Sequence, residues 1–318
     1  MSSPQLDFQD LDPSRVLDSI ESLGFHTTGV CLQLNSYENR VFEVQLEGGE
    51  KLVAKYYRPH RWSEDAIREE HEFLWDLKSE GVPAVAPLKC GERGGDPNTL
   101  FRLSQLWWSV FPRVRGRSPD ELLENHFKQV GRRLAQIHNI GFRKKAPHRL
   151  RLSVEDYARP ALKHLEPRLT PETRRTYLTL ADSILKRLEP MHHELEFGRI
   201  HGDCHRGNLL FDGTEFFFVD FDDFLSGPAV QDFWMLLDNG DEGLKQLELL
   251  LSGYEELRRF DDRELEYMEP LRGLRLIHYS GWIAQRWSDP SFPRLFPEFA
   301  TPRYWEEEIQ SLREIAES

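Results

Sequence analysis

Residues 198–223 read GRIHGDCHRGNLLFDGTEFFFVDFDD, and they are the most informative part of the sequence. It opens with a loop in which Gly202 and Gly207 permit tight backbone turns. NLLF and EFFFVDF follow as two short strands, which we expect to pair around a turn at Asp212 and Gly213. The stretch is therefore a small β ribbon inserted into a half of the chain that otherwise shows helical periodicity.

Three oxygen-bearing side chains are expected to converge in this ribbon. Asp203 and Asn208 stand in the loop, and Asp220 follows the apolar run FFFV. Phosphoryl transfer needs a carboxylate that accepts the hydroxyl proton and hard oxygen ligands for Mg²⁺. We therefore predict Asp203 and Asp220 as catalytic residues, with Asp203 as the base and Asn208 and Asp220 as the metal ligands. The alternative is a loop whose Asp and Asn side chains cap turns.

The same loop offers three nitrogen or sulfur ligands, His201, Cys204 and His205. A zinc site is thus the rival interpretation. No second CxxC or HxxxH group stands at a suitable spacing to complete a tetrahedral site, so we expect His201 to be a packed residue that positions the loop.

A lysine and a glutamate upstream are expected to form an ion pair. Lys55 lies inside the apolar strand LVAKYY, and Glu70 shares a helix face with Ile67, Leu74 and Leu77. A carboxylate on an apolar face requires a cation, and the pair leaves the ammonium available for ATP phosphates. Lys55 and Glu70 are therefore predicted to serve the nucleotide. The alternative is that Lys55 and Glu70 are two solvated surface charges. Glu69 is a poorer partner for Lys55 because it does not lie on the apolar face of the helix.

A glycine-rich phosphate loop is missing from the sequence, which has neither GxGxxG nor GxxxxGK[ST]. Between the first two strands stands LNSYENRV, whose small polar residues include Ser36. Its backbone N–H groups and the Ser36 hydroxyl are candidates for contacting phosphate, and a plain hairpin turn is the alternative.

The order of elements predicts an α+β protein with two lobes. The capping residues Asp12 and Ser63 begin two helices, and VAPLKC and LWWSVFP read as strands. A capping box at Ser118 and Glu121 indicates the first of many later helices. We expect an antiparallel β lobe with one internal helix at 1–111, a hinge at 112–116 and a mainly helical lobe at 117–318, with ATP between the lobes.

The composition favours a folded protein that does not bind nucleic acid. The 318 residues are 39% hydrophobic and 30% charged, and the formal net charge is −13. No apolar run is long enough for a membrane helix, and the start MSSPQLDFQDLD lacks the pattern of a signal peptide. Three widely spaced cysteines fit a reducing compartment. We expect a cytoplasmic monomer.

The motifs together resemble the aminoglycoside-phosphotransferase and choline-kinase-like branch of the protein kinase superfamily. HGDCHRGN resembles its catalytic loop, VDFDD its metal-binding strand end, and GPAVQDFWML the segment whose Asp232 braces that loop. LNSYENRV and VAKYYRP are similar to the bacterial stress response kinase A family. This resemblance implies a protein-kinase-like fold and an ATP- and Mg²⁺-dependent serine/threonine protein kinase. It implies Asp203 as proton acceptor, Asn208 and Asp220 as Mg²⁺ ligands and Ser36 as an ATP contact.

The phosphoryl acceptor is less well defined, because protein, homoserine, choline and aminoglycoside kinases share this machinery. A small-molecule kinase is the second hypothesis, and the acidic Asp222 and Asp223 would favour a cationic acceptor unless they join the metal shell or lie in solvent. A pseudokinase scaffold is the third. It is disfavoured because Lys55, Asp203, Asn208 and Asp220 are all present.

Overall fold

A computed structural model describes residues 11–91 and 97–318. The sequence MSSPQLDFQD at the start, in which no signal peptide is predicted, lies outside the described residues. The chain divides into two compact units. The first runs up to Leu122 and includes His205–Asp223, and the second comprises Leu123–Cys204 and Phe224–Ser318.

Helices and strands are numbered in chain order. The helices are α1 (Pro13–Ser22), α2 (Glu64–Ser79), α3 (Glu124–Gly141), α4 (Arg159–Leu165), α5 (Pro171–Leu188), α6 (Met191–Glu194), α7 (Gly240–Tyr254), α8 (Met268–Gln285), α9 (Phe292–Leu295) and α10 (Pro302–Glu317). The strands are β1 (Thr27–Leu34), β2 (Arg40–Leu46), β3 (Lys51–Tyr56), β4 (Phe101–Leu103), β5 (Leu106–Pro112), β6 (Gly198–Ile200), β7 (Leu209–Phe211), β8 (Phe216–Phe218) and β9 (Leu225–Gly227).

The first unit is built on a five-stranded antiparallel sheet in the order β1-β2-β3-β5-β4. Alternate residues of its strands face a core that also receives Val16 and Ile20 from α1. The described elements thus confirm the α+β class, with an antiparallel sheet first and helices after it.

Two helix starts in the first unit follow the sequence signals. The Asp12 carboxylate accepts the N–H of Arg15 at 3.0 Å, and the Ser63 hydroxyl accepts that of Ala66 at 3.1 Å. Each cap satisfies a donor that the first helical turn leaves without a partner.

The capping box predicted at Ser118 and Glu121 is wrong. Helix α3 begins at Glu124, and Leu123 occupies the N-cap position. The Ser118 hydroxyl donates instead to the Arg206 carbonyl at 2.8 Å. The Ser118 side chain therefore forms a tertiary hydrogen bond instead of the helix cap that the local pattern predicts.

The strand predicted at VAPLKC is also wrong, whereas LWWSVFP forms β5 as expected. In the former segment Cys90 makes an isolated bridge with Asn98. A nearby bridge joins Ala84 to Phe218 of β8. Single bridges replace a ladder in this stretch, because its interior proline, Pro87, has no N–H to donate.

The second unit is mainly helical, and glycines allow α3 and α7 to approach each other closely. A Cβ atom on Gly131 would lie 2.0 Å from the Leu250 carbonyl oxygen, and one on Gly253 would lie 2.1 Å from that of Lys128. The backbones of the two helices therefore touch at positions where no side chain fits.

A buried carboxyl group joins three helices of this unit. Glu308 of α10 accepts hydrogen bonds from Tyr177 of α5 at 3.2 Å and from Ser280 of α8 at 2.7 Å. Burial raises the pKa of Glu308 to about 7, although both hydroxyl donors oppose the shift. The folded protein thus holds the proton of this group more tightly than the unfolded chain.

Stability is expected to fall as pH rises because of Glu308. A raised folded-state pKa gives stability that is complete below about pH 4.5 and is lost by about pH 7. We expect Glu308→Gln, which stays neutral, to remove about 3 kcal/mol of that loss, as measured by urea unfolding between pH 4 and 8. Glu307→Gln is the control, because the Glu307 side chain is 64% exposed. Parallel pH profiles for wild type and Glu308→Gln would contradict this expectation.

Candidate active site

Lys55 stands at the centre of a buried cluster of carboxylates in the first unit. Its Nζ lies 3.3 Å from Glu70 Oε1, 3.0 Å from Asp222 Oδ1 and 3.4 Å from Asp220 Oδ1. Lys55 is 7% exposed and Glu70 is 1% exposed. The strand β3 and the helix α2 therefore bring together the pair that the sequence indicated, and the ammonium also meets a predicted metal ligand.

The cluster keeps the lysine charged. Burial by itself would lower the pKa of Lys55, but Asp222, Glu70 and Asp220 outweigh it and raise the pKa well above the ordinary value. A permanently positive ammonium at this point is what a polyphosphate ligand requires.

Removing the lysine charge should destabilise the first unit. Lys55→Met leaves Glu70 and Asp222 buried with one cation fewer, so we expect the free energy of unfolding to fall by about 3–5 kcal/mol. Urea unfolding followed by tryptophan fluorescence measures this loss, and adding Glu70→Leu should recover part of it. Lys51→Met on the same strand, where the side chain is 48% exposed, is the control and should cost at most about 1 kcal/mol. Equal losses for the two variants would contradict a buried charge cluster.

The two predicted metal ligands belong to one ribbon of the first unit. Strands β7 and β8 pair antiparallel, and the Val219 N–H donates to the Asn208 carbonyl at 3.0 Å. Asp220 follows with a left-handed φ of 59°, a conformation that costs energy for a residue other than glycine. Its side chain is 55% exposed. The strained backbone thus holds an accessible carboxylate one residue beyond the strand partner of Asn208.

The loop of residues 35–39 connects β1 and β2, where a phosphate-covering loop was expected. The Ser36 hydroxyl oxygen accepts the Asn39 N–H at 3.2 Å. Asn39 in turn donates to Asp222 Oδ2 at 3.2 Å and accepts the Arg58 N–H at 3.1 Å. The Ser36 oxygen therefore shapes its own turn, and its hydroxyl proton remains for donation.

Arg61 is a participant that sequence reasoning missed. Its guanidinium binds Asp222 through Nη1 and Asp223 through Nη2. Asp222 is 2% exposed, so it lies neither in solvent nor open to a cationic acceptor, as the sequence left possible. Both acidic residues are thus paired with a cation of their own unit. No local pattern distinguishes Arg61 from a surface arginine, because its partners lie more than 160 residues away in sequence.

The loop that carries Asp203 belongs to the second unit and is held by Asp232. The buried Asp232 carboxylate accepts the N–H groups of His201 and Gly202, both at 2.8 Å. His138 Nε2 lies 3.0 Å from the same carboxylate, and burial lowers the pKa of this imidazole despite Asp232. A neutral histidine and a buried acid thus fix the loop, in agreement with the bracing position suggested for Asp232.

Asp203 forms an ion pair with an arginine of α8. The sequence did not predict this pair. Arg275 Nη2 donates to Asp203 Oδ1 at 2.7 Å, and the Asp203 side chain is 18% exposed. The charge-assisted hydrogen bond from this guanidinium fixes one carboxylate oxygen. Arg275 thus holds the Asp203 carboxylate in a defined orientation.

The zinc interpretation gains no support from this loop. His201 and Cys204 are fully buried, and burial raises the pKa of the Cys204 thiol well above its ordinary value. Among residues 11–91 and 97–318, no group of three or more His, Cys, Asp or Glu side chains is arranged to hold a metal ion. His201 Nδ1 instead accepts the Asp203 N–H at 3.4 Å.

The sequence-predicted residues thus fall into two sets. Lys55, Glu70 and Asp220 form one cluster, and Asn208 is paired by its backbone to the strand that precedes Asp220. Asp203 lies in the second unit. Each set is held by partners of its own unit.

Comparison with known proteins shows which family the chain belongs to. Residues 30–271 match the phosphotransferase enzyme family. Over 96% of its length the chain is 38% identical to stress response kinase A of Escherichia coli and covers 92% of that protein. It is 37% identical to serine/threonine protein kinase RdoA of Salmonella typhimurium, over 99% of this chain and 95% of that one.

A solved structure shows the same fold at low sequence identity. An amicoumacin kinase in complex with AMP-PNP, Ca²⁺ and Ami superimposes with a TM-score of 0.76 at 19% identity, over 96% of this chain and 94% of that one. The likeness covers both units. The chain therefore belongs to the phosphotransferase enzyme family, within its stress response kinase A group, and is a kinase.

Proposed function

We propose that this kinase transfers the γ-phosphate of Mg²⁺-bound ATP to serine or threonine hydroxyls of proteins in a bacterial stress response. The observation that carries the proposal is the buried Lys55–Glu70 pair, whose ammonium also lies 3.4 Å from Asp220. Protein kinases need a lysine–glutamate pair and a metal-binding aspartate at the same time. We propose further that the enzyme acts in the cytoplasm as a monomer. No described helix is long and apolar enough to cross a bilayer.

The ligand set suits a nucleotide with Mg²⁺. Asn208 and Asp220 would hold the metal through hard oxygens, and Mg²⁺ needs few protein ligands because phosphates and water complete its shell. The bound ion neutralises charge on the phosphates. Lys55 would bind the α- and β-phosphates, Glu70 would orient Lys55, and the Ser36 hydroxyl would donate to a phosphate oxygen.

Asp203 would be the catalytic base. Its carboxylate would orient the acceptor hydroxyl and take its proton as the hydroxyl oxygen attacks the γ-phosphorus, while the bond from that phosphorus to the β–γ bridging oxygen breaks and ADP leaves. Arg275 supports this role, since its N–H donates to one carboxylate oxygen and holds the side chain in a defined orientation. Asp232 also supports this role, because its carboxylate holds the loop that carries Asp203.

The protein acceptor rests on two observations. A relative named serine/threonine protein kinase matches 99% of the chain at 37% identity. The acidic residues that would have favoured a cationic small molecule, Asp222 and Asp223, are both bound to Arg61. This pairing leaves less negative charge to attract a choline or aminoglycoside acceptor.

A panel of acceptors tests the proposal. The purified chain is given γ-labelled ATP and Mg²⁺ with generic protein substrates, choline, homoserine and an aminoglycoside. We expect label in phosphoserine or phosphothreonine and none in the small molecules. Label in a small molecule, with none in protein, would replace the protein kinase by a small-molecule kinase.

A further inference from the structure

A row of cationic and aromatic side chains follows one face of α8 and ends at Arg286, the residue that caps the helix. Arg275, Tyr279, Trp282 and Arg286 stand at helical spacing, and we call them the α8 stripe. Arg275 Cζ lies 5.7 Å from the Tyr279 ring centroid, and Arg286 Cζ lies 5.2 Å from that of Trp282. The two aromatic rings stack at 5.6 Å. The four side chains thus form one continuous surface with a cation near each end.

The aromatic middle of the stripe is supported from below and open above. The Phe296 ring lies 6.2 Å from that of Tyr279 and 5.6 Å from that of Trp282, and the Phe292 ring lies 4.9 Å from Trp282. Tyr279 is 37% exposed. Fixed, half-buried rings of this kind bind extended chains at low entropic cost.

The stripe begins at the candidate catalytic base. Arg275 donates to Asp203, so a hydroxyl group bound at Asp203 stands beside the first cation of the row. From Arg275 to Arg286 the helix rises by about 16 Å, and an extended peptide covers that distance in about five residues. A small acceptor would leave most of this surface unused.

Arg286 supplies the charge that would recognise an acidic side chain, because Arg275 is already paired with Asp203. The chain has a net charge of −13, yet this face presents two guanidinium groups. A guanidinium carries five N–H donors and can bind a further carboxylate while it keeps its existing contacts.

We infer that the α8 stripe is the acceptor-binding surface and that it selects a polypeptide with an acidic side chain about five residues from the phosphorylated hydroxyl. The acidic side chain binds Arg286, the intervening chain crosses Tyr279 and Trp282, and the hydroxyl meets Asp203. This inference rests on the proposed protein kinase activity and names its substrate class.

Peptides with one serine and a single glutamate moved from six residues before it to six after it test the inference. We expect glutamate near the fifth position to raise kcat/KM about 2–5-fold over alanine, which is the range of an exposed ion pair, mainly through KM. Arg286→Gln should abolish this preference and Arg286→Glu should transfer it to lysine, whereas Arg175→Glu on α5 is the matched control that should retain it. The thermal midpoints of all variants are measured alongside.

The outcomes separate the two proposals. Peptide phosphorylation with no positional preference, or with a preference that survives Arg286→Glu, overturns the stripe and leaves the protein kinase intact. Phosphorylation of small molecules with none of any peptide overturns the protein kinase and the stripe with it.

Discussion

Replacing Asp203 by Asn is expected to lower kcat for phosphoryl transfer by about 10²–10⁴-fold, which is the contribution of a positioned general base. The amide oxygen can still accept the Arg275 N–H, so the loop keeps its shape. The amide cannot take the proton of the acceptor hydroxyl. We therefore expect the loss in kcat, with little change in the affinity for ATP.

The measurement is the initial rate of label transfer from γ-labelled ATP at saturating Mg²⁺, with ATP affinity followed by calorimetry. Asp182→Asn is the matched control, because the Asp182 side chain on α5 is 64% exposed and pairs with Lys186. Turnover by Asp203→Asn equal to that of Asp182→Asn would reject the base assignment.

Replacing Asp232 by Leu should have the largest effect on stability. The carboxylate accepts two backbone N–H groups at 2.8 Å and lies 3.0 Å from His138 Nε2, all of them buried. A buried donor without an acceptor costs about 1–3 kcal/mol, so the loss is expected to total roughly 3–9 kcal/mol. The loop that carries Asp203 would lose its support, and activity would fall with it.

Calorimetric unfolding measures this loss against Asp182→Leu, an exposed change that should stay within about 0.5 kcal/mol. Asp232→Asn should give an intermediate result, because its amide oxygen still accepts while its NH₂ group faces a donor. A thermal midpoint of Asp232→Leu equal to that of wild type would show that the loop is held by other contacts.

The sequence predicted features whose determinants are local or periodic. Lys55 and Glu70 could be paired because a charge inside an apolar strand and another on an apolar helix face both need a partner. Asp12 and Ser63 cap their helices as predicted, since a cap depends on the next three residues. The antiparallel sheet followed from alternation and turn residues.

Features that depend on tertiary partners were missed. The local pattern predicts Ser118 as a helix cap. Its hydroxyl instead donates to the Arg206 carbonyl, 88 positions away. Arg61 and Arg275 meet their carboxylates across 162 and 72 positions, with no pattern in either local segment. The burial of Asp222 was missed for the same reason, because the cations that neutralise it come from β3 and from the segment before α2.

If Asn208 and Asp220 hold Mg²⁺ for transfer of the γ-phosphate of ATP, the rate of label transfer must depend on the Mg²⁺ concentration and on both side chains. Wild type should saturate with Mg²⁺ and lose activity in EDTA. Asp220→Asn and Asn208→Leu should need more Mg²⁺ and reach a lower maximal rate, whereas Asp212→Asn in the turn of the same ribbon should follow wild type. Transfer that persists in EDTA, or an identical Mg²⁺ dependence in all four proteins, would contradict the account.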